Sequence, residues 1–324
     1  MEAENILEFK DFNLYFRKQE LEYQGLFNLN FNLKRGETLG IIGESGSGKT
    51  QTAMSILRLS PENSRSTGEI LFRGKNIYKY SEEEMNKIRG NYISIALQDT
   101  SLCMNPYLKV RDQLIEPLII HYGKSESDAE KEVLRILDCL KIPEAKKRIN
   151  SYPHEFSGGQ RQRFLIAMAL VCKPAIFIAD ELTTSLDVVT QKDVLSYLKE
   201  VQKETDMSIL FISHDLRMLA NFVDRIIVMY CGHIVEDSNV KDFFENPLHP
   251  YSKGLLDLLP KISDKGKQLK TITGEISQLT DLPKGCPFAP RCERCCEKCY
   301  YLKPKQQIIE GRKVSCFLLD QYQD

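Results

Sequence analysis

The sequence predicts an α/β fold with an antiparallel β layer near its start, a helical stretch within it and a cysteine-rich C-terminal extension. Three observations carry that prediction. Short apolar, β-branched runs at 38–42, 93–97, 175–181 and 208–212 alternate with stretches of helical composition, the pattern of buried strands between helices. The run Leu26-Phe27-Asn28-Leu29-Asn30-Phe31-Asn32-Leu33 alternates apolar and polar residues with strict period two, so one face is buried and the other is not. The first apolar run feeds a glycine-rich turn that opens onto a helical stretch.

At 324 residues the chain exceeds one small core and suggests one large domain or two. Its 42% hydrophobic content is ordinary for a globular protein. With 44 basic and 45 acidic residues the net charge is −1, so no global field draws the chain to nucleic acid. Met1-Glu2-Ala3-Glu4-Asn5 is acidic and lacks the basic region of a signal peptide. No apolar run approaches the ~18 residues a spanning helix needs. The expectation is a cytosolic chain that sits on a membrane protein, or none.

Taken in order, Ile6-Leu7-Glu8-Phe9 and Asn13-Leu14-Tyr15-Phe16 read as two strands before the period-two run, and Lys34-Arg35-Gly36-Glu37 reads as a turn. An aromatic in this layer is placed to stack on a nucleotide base. Phe16 is the first candidate, with Tyr15 and Tyr23 behind it, and a plain core aromatic stays equally open. Next, Gly43-Glu44-Ser45-Gly46-Ser47-Gly48-Lys49-Thr50 fits the phosphate-loop pattern G-x-x-x-x-G-K-[ST] at every required position. The strand before it and the helix after it, Thr50 to Leu59 with Ala53, Met54 and Leu57 at helical spacing, supply the context. Successive backbone N–H groups then point at an anion, and the helix N-terminus adds roughly half a positive charge there. Lys49 is expected to reach the β- and γ-phosphates, and Thr50 to offer its hydroxyl to Mg²⁺.

Gly68-Glu69-Ile70-Leu71-Phe72-Arg73-Gly74 reads as a hairpin strand, and the apolar strand 93–97 ends at Gln98. Residues 101–155 turn helical. Ser127-Asp128-Ala129-Glu130 reads as a capping box, followed by Val133, Ile136, Leu137 and Leu140 on one face and charged residues on the solvated side. Ser157-Gly158-Gly159-Gln160 then opens a helical run to Val171, a second helix N-terminus with a capping hydroxyl and free amides suited to an anion. The strand 175–181 ends in two carboxylates. Asp180 is placed to hold Mg²⁺ and Glu181 to polarise an attacking water; with no chemistry to do, two such carboxylates are costly to desolvate. Thr184-Ser185-Leu186-Asp187 follows in a turn. The strand 208–212 delivers Ser213-His214-Asp215; a lone histidine is usually structural, but one that ends a strand in a phosphate-loop fold is better placed to touch a γ-phosphate.

Phosphate loop, Gln98, Ser157 to Gln160, Asp180-Glu181, Asp187 and His214 occur in an order that resembles the ABC-type ATPases over about the first 240 residues. That resemblance implies two such domains closing over two ATPs. Gly43 to Gln51, with Asp180, would hold nucleotide and Mg²⁺. Ser157, Gly158, Gly159 and Gln160 would touch the γ-phosphate held on the partner's loop. Glu181 would be the base, His214 would bind the γ-phosphate, Gln98 would link Mg²⁺ and the attacking water to the transporter contact, and Asp187 would lie across the dimer seam.

Further motifs narrow the family. Gly43 through Thr52, Tyr152-Pro153-His154-Glu155-Phe156-Ser157-Gly158-Gly159, Asn246-Pro247-Leu248-His249-Pro250-Tyr251 and Gly285-Cys286-Pro287-Phe288-Ala289-Pro290-Arg291-Cys292 resemble the ATP-binding subunits of oligopeptide, dipeptide and nickel importers. Gln51 and Ile166-Ala167-Met168-Ala169-Leu170 resemble the D-type subunit, and the long tail resembles peptide more than nickel systems. The implied partners are an F-type homologue in a heterodimer, two transmembrane permease subunits and an extracytoplasmic binding protein acting indirectly, with the chain peripheral on the cytoplasmic face of the membrane. The family usually shows proline where Thr100 and Leu182 stand. A DNA-associated ABC-type ATPase and a non-hydrolysing regulatory subunit are the rival readings; neutral charge and importer-like tail oppose the first, intact Glu181 and His214 the second.

The expected division is an ATPase domain over 1–260, with a helical subdomain at about 101–172, and an extension over 261–324. Residues 241–260 read as a short helical connection and 261–285 as a linker. Of ten cysteines, Cys103, Cys139, Cys172 and Cys231 are scattered and read as buried small hydrophobes, while six crowd between Cys286 and Cys316. In a reducing compartment such crowding suggests metal. Cys286, Cys292, Cys299 and Cys316 match the peptide-importer spacing C-x5-C-x6-C-x16-C, which implies an iron–sulfur cluster; four thiolates suit the four irons of a [4Fe–4S] cube. Cys295 and Cys296 create two C-x-x-C pairs that keep zinc open, and no metal is the third possibility.

Overall fold

The computed structural model describes residues 4–97, 103–183, 186–259, 271–275, 277, 279 and 281–322. In chain order its strands are β1 (Asn5–Lys18), β2 (Leu21–Lys34), β3 (Thr38–Ile42), β4 (Ser64–Phe72), β5 (Lys75–Asn76), β6 (Ile93–Ala96), β7 (Ile176–Asp180), β8 (Ser208–Ile212), β9 (Arg225–Tyr230), β10 (His233–Asn239), β11 (Gln307–Ile309) and β12 (Arg312–Val314). The chain forms two compact units that interleave along the sequence. One takes residues up to Ile6, Leu33–Glu37 and Ile77–Ile212; the other takes Leu7–Asn32, Thr38–Asn76 and the chain from Ser213.

In the first unit β6, β7 and β8 lie side by side and parallel, in register Ile93↔Ile176 and Asp180↔Ile212. Every residue of β7 and β8 is buried, which is why both read as continuous apolar runs without alternation. Between β6 and β7 the chain forms helices Val110–Tyr122, Glu126–Cys139, Ala145–Arg148 and Gly158–Leu170. The capping box expected at Ser127 sits elsewhere: Ser125 is the cap, its hydroxyl accepting the Asp128 amide at 3.2 Å, and Ser127 lies inside the helix. Both serines precede an acidic residue by three places, so the pattern alone does not choose between them.

The second unit carries the antiparallel order β2-β1-β4-β5 and the order β11-β12-β10-β9-β3. β1 is one strand, not two. A bulge between Lys10 and Asn13 interrupts its register with β4, Asp11 takes a φ of 46°, and its amide donates to Asn30 Oδ1 at 2.9 Å. The polar Lys10-Asp11 step therefore kinks the strand without ending it. β3 runs parallel to β9, and β9 turns back through Cys231-Gly232 into β10.

The C-terminal hairpin of β11 and β12 extends this sheet, with Val314 paired to Glu236 on β10. Its three-residue strands are too short for periodicity to show. The connection after β10 forms helices Val240–Glu245 and Pro250–Asp257. Fully buried Glu236 fixes the entry to the second, accepting the Leu248 amide at 3.0 Å and the His249 amide at 2.8 Å. Burial pulls His249 down to about 3, so its ring stays neutral and Nδ1 accepts the Tyr251 amide at 3.1 Å. Of the scattered cysteines, Cys172 and Cys231 are buried, but Cys103 is half-buried and Cys139 is exposed at the end of its helix, contrary to expectation.

Candidate nucleotide site

In the second unit, β3 delivers the phosphate loop and the helix Lys49–Ile56 leaves it. The loop's backbone demands glycine. Gly43 has φ 154°, and a Cβ there would lie 2.2 Å from the Met229 carbonyl oxygen; Gly48 has φ 100°, and a Cβ would lie 2.7 Å from Leu26 Cδ2. Lys49 is buried, and its Nζ donates to the carbonyls of Gly43 at 2.9 Å and Glu44 at 3.0 Å. The ammonium thus sits inside the loop's own curve, where a phosphate would compete for it. Ser45, Gly46 and Thr50 are exposed, and Ser47 is buried. Gln51 Oε1 is buried without a hydrogen-bond partner among the described residues, an acceptor a bound ion or water would satisfy. These features suit a triphosphate and Mg²⁺.

The same unit holds His214. The Ser213 amide donates to the Ile41 carbonyl at the end of β3 at 3.4 Å, and Asp215 caps the helix Leu216–Phe222 through the Arg217 and Met218 amides at 3.0 and 3.2 Å. Exposed His214 stands between these two anchors, beside the strand that feeds the loop. Phe16 also lies here, half-buried and stacked on Tyr23 with ring centroids 5.6 Å apart. Tyr15 is covered instead by Arg65, 4.0 Å above its ring.

The first unit holds the other group. Asp180 is buried at the end of β7. Glu181 follows in the left-handed region at φ 49°, its amide donating to the Ile212 carbonyl at 2.9 Å. That conformation costs a non-glycine residue of order 1 kcal/mol and turns the chain sharply out of the strand. Leu182, where proline was the family expectation, is fully buried, and its carbonyl accepts from Gln162 Nε2.

Ser157 caps the helix Gly158–Leu170 in a full capping box: its hydroxyl accepts the Gln160 amide at 3.3 Å, and Gln160 Oε1 accepts the Ser157 amide at 3.2 Å. Phe156 anchors the entry, edge-on to Phe164 at 4.8 Å with the Arg148 guanidinium 4.7 Å from its ring. Asp187 caps the helix Val188–Thr205. Its bonds from the Thr190 amide and hydroxyl and the Val189 amide hold its carboxyl below the usual range. Gln98, Thr100, Thr184 and Ser185 lie outside the described residues.

In the extension, Cys286, Cys292, Cys299 and Cys316 line one cavity of about 10 Å³. Burial pushes the Cys286 and Cys299 thiols up to about 12, and Cys292 and Cys316 upward as well. Among the described residues no three His, Cys, Asp or Glu side chains gather around a point that would hold a metal ion. The four thiols share one small cavity, and as they stand they form no ligand set for either zinc or an iron–sulfur cube.

Two residues the motif reading missed touch the loop. Tyr251 Oη accepts the Glu44 amide at 2.8 Å, and Arg291 grips the Glu44 carboxylate with Nη1 at 2.6 Å and Nη2 at 3.1 Å. Both belong to segments read only as family marks.

A model of the ABC transporter family matches residues 26–184, and one described as the oligopeptide/dipeptide transporter C-terminal region matches residues 235–299. The chain is 44% identical over 316 residues to the oligopeptide transport ATP-binding protein OppD of Escherichia coli (strain K12), covering 98% of this chain and 94% of that one. It is 43% identical over 321 residues to the dipeptide transport ATP-binding protein DppD of Bacillus subtilis (strain 168), covering 98% and 96%. Among solved structures, a dimeric ATP-binding cassette in a post-hydrolysis state bound to ADP and Pi aligns with a TM-score of 0.66 at 28% identity, covering 72% of this chain and 98% of that one.

Proposed function

Because the chain belongs to the ABC transporter ATP-binding protein family, whose cassettes hydrolyse ATP, we propose that it energises uptake of di- and oligopeptides through partner membrane subunits. The observation that carries the peptide assignment is the match of residues 235–299 to the oligopeptide/dipeptide transporter C-terminal region. A nickel importer would share the cassette, but the long tail favours peptides.

In this reading Lys49 and the loop amides bind the β- and γ-phosphates, and Thr50, Asp180 and Gln98 serve Mg²⁺. Glu181 takes the proton of the attacking water, and His214 contacts the γ-phosphate. Ser157 to Gln160 complete a site whose loop lies on a homologous F-type partner, so the working species is a heterodimer with two shared sites. Phe16 stacks on the base. No helix among the described residues is long and apolar enough to cross a membrane, which suits a peripheral subunit beneath two permease proteins fed by an extracytoplasmic binding protein. Exposed Tyr107, Leu108 and Tyr152 line one surface recess and are the apolar candidates for the permease contact. Cys286, Cys292, Cys299 and Cys316 would hold a [4Fe–4S] cluster, which would supply metal–thiolate bonds to the C-terminal segment once the thiols had given up their protons.

The test is Mg²⁺-dependent ATP hydrolysis by the assembled complex together with peptide uptake. Lys49→Ala is expected to abolish nucleotide binding and uptake. Wild-type turnover in this variant would remove the phosphate loop from the site, and intact ATPase without peptide stimulation would remove the substrate assignment.

A further inference from the structure

The phosphate loop carries a carboxylate. Glu44 directly follows its first glycine, where a negative charge opposes an incoming triphosphate. The Glu44 side chain is only 25% exposed and that of Arg291 only 4%, so water screens neither fully. Both carboxylate oxygens are taken in a two-pronged grip by Arg291, the geometry in which arginine is strongest and most directional.

Arg291 is itself held on every side. Its Nε donates to the Thr273 carbonyl at 3.1 Å, Nη2 to the Ile272 carbonyl at 3.3 Å, and Nη1 to the Tyr230 hydroxyl at 3.3 Å. The 3₁₀ turn Ala289–Arg291 places it, and Cys292 of the cysteine cavity is the next residue. The Glu44 backbone is fixed as well, its amide by Tyr251 Oη and its carbonyl by Lys49 Nζ. The side chain of Glu44 thus answers to the extension while its main chain shapes the nucleotide cradle.

We propose that Arg291 is a positioning residue for ATP binding: from the C-terminal extension it neutralises Glu44 and fixes the phosphate loop, so the seating of the extension sets the loop's affinity for polyphosphate. This rests on the phosphate-loop assignment. A unit charge one loop's width from the phosphates, in surroundings between protein and water, changes binding by roughly tenfold. Charge opposition also grows with the number of phosphates, so the effect is larger for ATP than for ADP and smallest for AMP. A side chain that only held the fold together would weaken all three alike.

The experiment measures ATP, ADP and AMP binding by equilibrium titration with Mg²⁺ on the full chain and five variants. Arg291→Met is expected to weaken ATP about tenfold and ADP less. Glu44→Gln/Arg291→Met is expected to recover most of that loss, because the charge to be neutralised is gone. Arg291→Lys, which keeps the charge without the two-pronged grip, is expected to fall between wild type and Arg291→Met. Glu44→Gln alone, which leaves the guanidinium unpaired beside the loop, is expected to tighten ATP relative to ADP. If Arg291→Met fails to fold, the ATP-to-ADP ratios of Glu44→Gln and Arg291→Lys decide the matter. Equal losses for all three nucleotides, an unshifted ratio in Glu44→Gln, or an Arg291→Met loss that Glu44→Gln leaves untouched would overturn the proposal. Wild-type ATP binding by Lys49→Ala in the same series would instead sink the phosphate-loop assignment.

Discussion

Replacing Tyr251 by Phe should remove one hydrogen bond and little else. Tyr251 is completely buried, its ring edge-on to Tyr230 at 4.7 Å and tilted against Phe288 at 5.2 Å. Phenylalanine keeps that packing, so no cavity opens beyond one oxygen. What disappears is the acceptor for the Glu44 amide at 2.8 Å. A buried donor stripped of its partner costs ~1–3 kcal/mol, and Glu44 is half-buried, which places the cost near the lower half of that range, about 1.5 kcal/mol. For a domain of this size each kcal/mol shifts the melting temperature by about 2–4 °C, giving a fall of about 3–6 °C. The freed amide also loosens the second residue of the loop, so ATP should stabilise the variant less than it stabilises the wild type. Differential scanning fluorimetry with and without Mg²⁺·ATP reads both effects, with Tyr300→Phe on the exposed surface as the control. A Tyr251→Phe melt that overlays the wild type in both conditions would refute the claim that this hydroxyl holds the loop.

Glu181→Gln keeps size and hydrogen bonding but removes the base, and should slow hydrolysis by about 10²–10⁴ while ATP still binds and a closed dimer accumulates on size-exclusion chromatography; unchanged turnover would exclude Glu181 from the chemistry. Ser157→Arg should cripple the site whose phosphate loop lies on the partner, and a fully active isolated monomer would contradict that sharing. Anaerobically purified protein should be brown, with broad absorbance near ~400 nm from thiolate-bound iron; Cys286→Ser should lose the colour while keeping phosphate-loop nucleotide binding. Metal analysis that finds zinc without iron, or neither metal, would remove the cluster.

The parts of the site that were legible in the sequence are those whose chemistry is local. The glycines at 43 and 48 mark a loop whose backbone no other residue tolerates, and Ser157 before Gly158-Gly159 reads as a helix-capping hydroxyl, which it is. β3, β7 and β8 were legible because full burial makes them continuous apolar runs. Legibility failed where two local signals compete or none exists. Ser125 and Ser127 both precede an acidic residue by three, and pattern alone does not choose between them. The Lys10-Asp11 bulge looks like a strand break because a polar pair ends most strands. Sequence gave no signal for the left-handed turn at Glu181, since glutamate seldom adopts it.

The residues that hold the loop were the least legible, and distance along the chain explains why. Tyr251 lies 207 positions from Glu44, and Arg291 lies 247. Ser47 likewise gives its carbonyl to the Gly232 amide at 2.9 Å, from the turn between β9 and β10. A glycine loop of eight residues has too few side chains to rigidify itself, so its shape depends on what closes around it, and here that closure comes from the second half of the chain. Near the C-terminus Val314, Cys316 and Leu319 form a small core with Leu248, Ile309 and Leu318 around them, and the hairpin of β11 and β12 is anchored to β10. Sheet pairing and apolar packing thus already stabilise this region without metal, and a cluster at the four cysteines would add to that stability. Its larger consequence would lie at Arg291, one residue before Cys292: whatever fixes the cysteines also fixes the guanidinium that answers the loop's own carboxylate.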